Sequence, residues 1–179
     1  MKYVEELIKL ANGVHSKWRP TANDWAASES ELGFKLPSDY KELVSAFGYG
    51  SFGYGIGLRN PLSRDFATLR RDRLRLSDGI MEEFPEERKE LFYPEKGALV
   101  WMGKVGDGVN LFYRLNAVTR ELEDPHCYDV FTDELNALPP IAEFIFKLYT
   151  GQLEGTRIGK LRGPAWPDNE PIFIPSSGE

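Results

Sequence analysis

Apolar residues recur along this chain with two different periods, and the places where the period changes mark its elements. Tyr40, Leu43, Val44 and Phe47 fall at i, i+3, i+4 and i+7, one helical stripe, with Gly48 placed to end it. Val4, Leu7, Ile8 and Ala11 give Met1 to His15 the same spacing and predict an N-terminal amphipathic helix packed on the core. Ile141, Phe144, Ile145 and Leu148 form a third stripe, started by Pro140 and closed by Gly151. Before the first stripe, Thr21-Ala22-Asn23-Asp24 offers a capping box or an asparagine cap, and Gly33 stands where a left-handed residue would end a helix over 24 to 32. Phe34 and Leu36 then alternate through an extended linker, because Pro37 pushes Leu36 out of the helical region. A further helix is predicted from Phe66 to Phe84, broken by Pro85.

Elsewhere the period is two. Phe52, Tyr54, Ile56 and Leu58 share one face of a predicted strand whose other face, Gly53, Gly55 and Gly57, is bare enough for another backbone to approach. Val109, Leu111, Tyr113 and Leu115 alternate with Asn110, Phe112 and Arg114. Ala98 to Met102 reads as the strand before them, joined by the connection Gly103 to Gly108 with Asp107-Gly108 as its turn signal. Cys127 to Thr132 would extend the meander. The tail, with Trp166 and Ile172-Phe173-Ile174, is apolar enough to dock as an extended arm. The expected fold is α+β: a single domain over 1–179, mainly an antiparallel twisted sheet flanked by helices, with a helical extension at 1–20 and an extended arm at 154–179.

The glycines invite a phosphate-binding reading that their context rejects. Gly48-x-Gly50-x-x-Gly53 matches a dinucleotide fingerprint, but that motif follows a strand and opens a helix, and here the order is reversed. The run also looks like a kinase glycine loop, yet no HRD or DFG sequence follows.

Composition narrows the classes further. A 179-residue chain that is 41% hydrophobic suits one domain burying roughly 70% of its unfolded surface. A lone cysteine, Cys127, excludes an internal disulfide, and the N-terminus lacks the pattern of a signal peptide, so cytoplasmic residence is the expectation. No apolar run approaches the ~20 residues that span a bilayer. Net charge of -6 disfavours direct nucleic-acid binding, which rests largely on neutralising phosphates. Six arginines against two acids in residues 59–75 precede seven acids against two bases in residues 76–95, halves that can pair with each other on a solvated surface. Glu121, Glu123, Asp124, Asp129, Asp133 and Glu134 form an acid-only block able to steer a basic partner.

The catalytic inventory is thin. His15 and His126 have no zinc spacing. His126 and Cys127 are adjacent on a predicted strand, so their side chains point to opposite faces and cannot readily form a thiol-base pair. Glu82, Glu83, Glu86 and Glu87 lie in a polar segment without the burial that raises a carboxyl pKa. No catalytic residue, cofactor or metal site is expected.

Leu32-Gly33-x-x-Leu36-Pro37-x-x-Tyr40-Lys41, the glycine-rich run, then Tyr93-Pro94-Glu95-x-Gly97-Ala98-Leu99-Val100-Trp101-Met102-Gly103 and a glycine hairpin into Leu111-Phe112-Tyr113 resemble, in their order, the SUKH superfamily. That group includes the Smi/Knr fungal cell-wall-assembly regulators and many bacterial proteins. Leu148-Tyr149-Thr150-Gly151-Gln152-Leu153 is similar to its closing helix, and the likeness runs from about Trp25 to Leu153. Val109 stands where an acid is common in the family, and Tyr113 where a tryptophan is common. The resemblance implies a non-enzymatic protein-binding module, an immunity protein that neutralises a cognate polymorphic or contact-dependent toxin domain, a nuclease among the candidates. Its alternative is a regulatory scaffold of the cell-wall-assembly type; an enzyme with an unrecognised site is a third reading. Candidate partner-binding residues are Tyr49 and Tyr54 beside the glycine frame, Asp107 in the hairpin turn, and Glu121, Glu123 and Asp124 in the acidic block.

Overall fold

The computed structural model describes residues 2–53, 55–58, 99–106, 108–153 and 171–176. Among them four helices lie against a seven-stranded antiparallel sheet, an α+β arrangement. Chain order runs α1 (Lys2–Leu10), α2 (Ala22–Leu32), α3 (Ser38–Phe47), β1 (Gly50–Phe52), β2 (Ile56–Leu58), β3 (Leu99–Val105), β4 (Val109–Leu115), β5 (Leu122–Asp129), β6 (Glu134–Ala137), α4 (Ile141–Tyr149) and β7 (Phe173–Pro175). The sheet order is β6-β5-β4-β3-β2-β1-β7, a meander to which the C-terminal strand is added beside β1. The predicted helix from Phe66 to Phe84, the charged segments and the Trp166 part of the tail lie outside the described residues.

The helix boundaries follow from the capping chemistry. Thr21 caps α2 with a capping box: its hydroxyl accepts from the Asp24 N–H at 3.4 Å, and the Asp24 carboxylate accepts from the Thr21 N–H at 2.7 Å. Gly33 ends the helix at φ 74°, donating its N–H to the Glu29 carbonyl. In α3 the whole predicted stripe, Tyr40, Leu43, Val44 and Phe47, is buried. At α1 only part of it is: Val4 and Leu7 within the helix and Ala11 just past its end are buried, while Ile8 is exposed. Tyr3 of α1 meets Phe146 of α4 with ring centroids 5.5 Å apart.

The main core lies between these helices and one face of the sheet. It takes Val109, Leu111, Tyr113 and Leu115 from β4, the face that their alternation predicts. Trp25, Tyr40 and Tyr113 form an edge-to-face ladder from α2 through α3 to β4, with centroids 6.1 and 6.5 Å apart. Leu99, Trp101, Phe112 and Tyr128 make a smaller buried cluster on the opposite face. One bulge keeps both faces supplied: Trp101 pairs with Phe112 and Gly103 with Leu111, so Met102 is the extra residue and joins the main core.

Two predicted strands are corrected. The run from Phe52 to Leu58 is not one strand but the hairpin β1–β2, in which Phe52 pairs with Ile56. A connection of three residues puts its flanks four positions apart, at the same parity, so the alternation continues unbroken through the turn and hides it. On the bare glycine face a backbone does approach Gly55, where a built Cβ would lie 3.5 Å from the Gly106 nitrogen. No atom lies within 4 Å of a Cβ built on Gly57, whereas one built on Gly50 would meet the Ile174 carbonyl and the Phe173 ring. The third strand of the meander starts earlier than Cys127 and stops earlier than Thr132, because Asp129 turns the chain back through its side chain, accepting from the Phe131 N–H at 2.9 Å. β6 then pairs with β5, an edge strand that periodicity did not reveal.

Candidate partner-binding surface

The six residues singled out from sequence do not converge. Tyr54 and Asp107 lie outside the described residues. Tyr49 sits next to β1, and Glu121, Glu123 and Asp124 sit at the start of β5, four strands away, which at the usual spacing is roughly 19 Å. Tyr49 is half-buried and its carbonyl accepts from the Ser176 N–H at 3.1 Å, tying it to the end of β7. It borders a cavity of about 10 Å³ lined by Leu43, Val44, Phe47, Phe52 and Phe173, room for one water at most.

The three acids at the other side are held together by the β4–β5 turn. Asn116 organises it: its side-chain oxygen accepts from the N–H groups of Val118 and Thr119, and its amide donates to Glu123 Oε1 at 3.1 Å. Glu121 faces Lys35 at 3.5 Å across an isolated parallel bridge between the α2–α3 linker and the residue just before β5. Asp124 is the extra residue of a second bulge, with φ 34°, since Tyr113 pairs with Pro125 and Arg114 with Glu123. Its carboxylate belongs to an exposed residue, while its carbonyl takes a hydrogen bond from His126 Nδ1 at 2.7 Å.

That bond fixes the histidine. A guanidinium can only donate, so Arg114 Nη2, 3.3 Å from His126 Nε2, makes Nε2 the acceptor and leaves the proton on Nδ1. His126 and Cys127 point to opposite faces, as the alternation requires: His126 belongs with Arg114, and Cys127 is fully buried in the main core. Burial pushes the Cys127 thiol up to about 11, the opposite of what a nucleophile needs.

The remaining acids of the block divide into internal and external ones. Asp129 is buried in the β5–β6 turn, while Asp133 is exposed and accepts from the Tyr128 hydroxyl. Glu123, Asp124 and Glu134 are exposed. Nothing in residues 121–137 offsets the block. Its six acids stand without a lysine or arginine; setting them aside leaves 22 of the 28 acids, equal to the 22 lysines and arginines of the chain. Residues 121–137 are thus a purely acidic run, and the rest of the chain, with its own basic and acidic stretches, balances overall.

Sequence reasoning missed the residues that tie elements together. Glu29 accepts from the Leu36 N–H at 2.9 Å and from Lys41 Nζ at 2.7 Å, joining α2, the linker and α3. Asp39 receives the Ile141 N–H and the Tyr113 hydroxyl. Phe131, 65% exposed at the β5–β6 turn, lies over Gly108 of the neighbouring turn. No local pattern marks the distant partners of Glu29 or Asp39. No family model, curated protein or solved structure matches the chain. Among the described residues no helix is long and apolar enough to cross a membrane.

Proposed function

We propose that this chain is a non-enzymatic protein-binding module of the immunity-protein type, which neutralises a cognate toxin domain by covering its working surface. The observation that carries the reading is the acid-only run of residues 121–137 along β5–β6, with Glu123, Asp124 and Glu134 turned to solvent. A toxin that grips phosphates presents a basic surface. A compact acidic face accelerates encounter with such a surface and penalises acidic partners. The likeness of the helix, glycine run and hairpin to the SUKH superfamily points the same way. Among the described residues, inward chemistry-bearing groups have structural tasks: Asp39 and Glu29 hold helices, Asp129 a turn, His126 bridges Asp124 and Arg114, and Cys127 packs in the core.

The test is co-expression with toxin domains encoded beside this chain. The expected result is restored growth and a complex that co-purifies in fixed proportion and weakens as salt rises. Absence of both rescue and complex with every neighbouring product overturns the proposal. Several weak partners and no single tight one would favour the regulatory-scaffold alternative instead.

A further inference from the structure

The two edges of the sheet are built differently. At the β7 edge, Gly53 N–H donates to the Ile172 carbonyl and Ser176 N–H to the Tyr49 carbonyl, which sets the phase of the pairing with β1. Phe173 and Pro175 are then the residues whose backbone turns outward, and proline has no N–H to offer. At the β6 edge the phase is set by the Leu138 N–H donating to the Pro125 carbonyl at 2.8 Å. In the register that pairs His126 with Ala137 and Tyr128 with Leu135, the backbone of Glu134 and Asn136 faces β5, and the N–H and C=O of Leu135 and Ala137 face away. Glu134, Asn136 and Ala137 are exposed, and β6 carries no proline, bulge or lysine of the kind that blunts an edge.

We propose that the outer edge of β6 receives an extended, lysine- or arginine-bearing segment of a partner protein as an eighth strand, through the outward backbone groups of Leu135 and Ala137. Charge selects the occupant. A second copy of this chain paired edge to edge would bring two blocks of six acids together, which like-charge repulsion opposes. A basic strand would instead set its cations against Glu134 and the acids beside it. The inference rests on the protein-binding reading above and names the part of the partner that makes the contact.

The experiment titrates the full chain with an acetylated and amidated peptide of about seven residues that alternates lysine with valine, followed by amide NMR shifts. The largest shifts are expected at Leu135 and Ala137, and raising salt from about 50 to about 300 mM should weaken binding severalfold. Ala137→Pro removes an outward N–H without touching the β5 pairing and should weaken the peptide about tenfold or more. Glu134→Lys, an exposed change that leaves the backbone alone, should weaken it severalfold even where the proline variant does not fold. A peptide with glutamate in place of lysine should not bind. Absent binding, shifts centred on another surface, or affinity indifferent to both variants overturns the inference. This readout needs no toxin. If a toxin is neutralised equally by the Ala137→Pro chain, the edge inference fails alone; peptide bound at the edge with no toxin rescued overturns only the neutralisation reading.

Discussion

Asp39 Oδ2, in the first turn of α3, accepts the backbone N–H of Ile141 at 2.7 Å, across 102 positions of sequence. Ile141 is the first residue of α4, and the residue before it, Pro140, has no side-chain oxygen with which to cap that helix. A carboxylate from another helix fills the role and sets its charge against the positive end of the α4 dipole. The same oxygen receives the Tyr113 hydroxyl at 3.4 Å, so β4 is joined to the pair. Burial, and then the charge of Asp39, raises the Tyr113 phenol well above its ordinary range, keeping it a donor.

Removing this cap should loosen three elements at once. Asp39→Ala is expected to cost about 2–3 kcal/mol, the range for a charge-assisted hydrogen bond whose buried partner is left unsatisfied. Asp39→Asn keeps an acceptor but loses the charge, and should cost about half as much. Tyr113→Phe gives up only the longer bond and should cost about 1 kcal/mol or less. Urea denaturation of the three variants checks the order; an Asp39→Ala chain as stable as the parent would show that the cap contributes nothing.

The attachment of β7 depends on an absent side chain. Phe173 sits between Phe47 and Phe52, with centroids 5.1 and 5.2 Å away, and its ring comes within 2.5 Å of where a Gly50 Cβ would be. Gly50→Ala should therefore force β7 off β1 and expose Phe173, with a loss of roughly 1.5–3 kcal/mol from that side chain alone. Hydrogen exchange at the Ile174 and Ser176 amides should accelerate in this variant well beyond that of β4. Protection there equal to the parent's would mean that β1 and β7 stay paired and Phe173 shifts to admit the methyl, which overturns the prediction.

How much of this was legible in the sequence depends on the reach of each interaction. The stripe Tyr40, Leu43, Val44, Phe47 and the alternation of β4 are local periodicities set by one core face, and both read correctly. The capping box of Thr21 and Asp24 spans four residues and was visible as one of two possible caps. The β1–β2 hairpin was not, because its connection preserves parity, and β6 was not, because an exposed edge of four residues needs no apolar alternation. Tyr49 and the Glu121–Asp124 group were grouped on residue type alone, and only the strand order separates them. No local pattern marks Asp39, since its partner lies 102 positions away.

Acid should reveal the α2 capping box. Hydrogen bonds from the Thr21 hydroxyl and the Thr21 backbone N–H hold the Asp24 carboxyl below its ordinary value. A folded-state pKa below the unfolded one means that the contribution is present above the unfolded value of about 4 and is lost as pH falls through the folded value. Asp24→Asn should therefore be less stable than the parent at neutral pH, and the two denaturation midpoints should converge as pH drops below 4 or so. A gap that persists at about pH 2 would assign the effect to packing and not to the charge.

Alkali should reveal Cys127. Burial raises its thiol from the ordinary 9.0 to about 11 in the folded chain, so the unfolded chain loses that proton first. Stability from this group is therefore constant below about pH 9 and declines as pH climbs from there to 11, the reverse of the Asp24 case. Cys127→Ala lacks the group and should show a shallower loss of stability across that window, although the cavity it leaves makes it less stable at pH 7. Reaction with a thiol reagent at pH 8 gives an independent measure: the folded chain should react slowly and the urea-unfolded chain rapidly. Equal rates in the two states would place the sulfur at the surface, contrary to its position in the main core against β4.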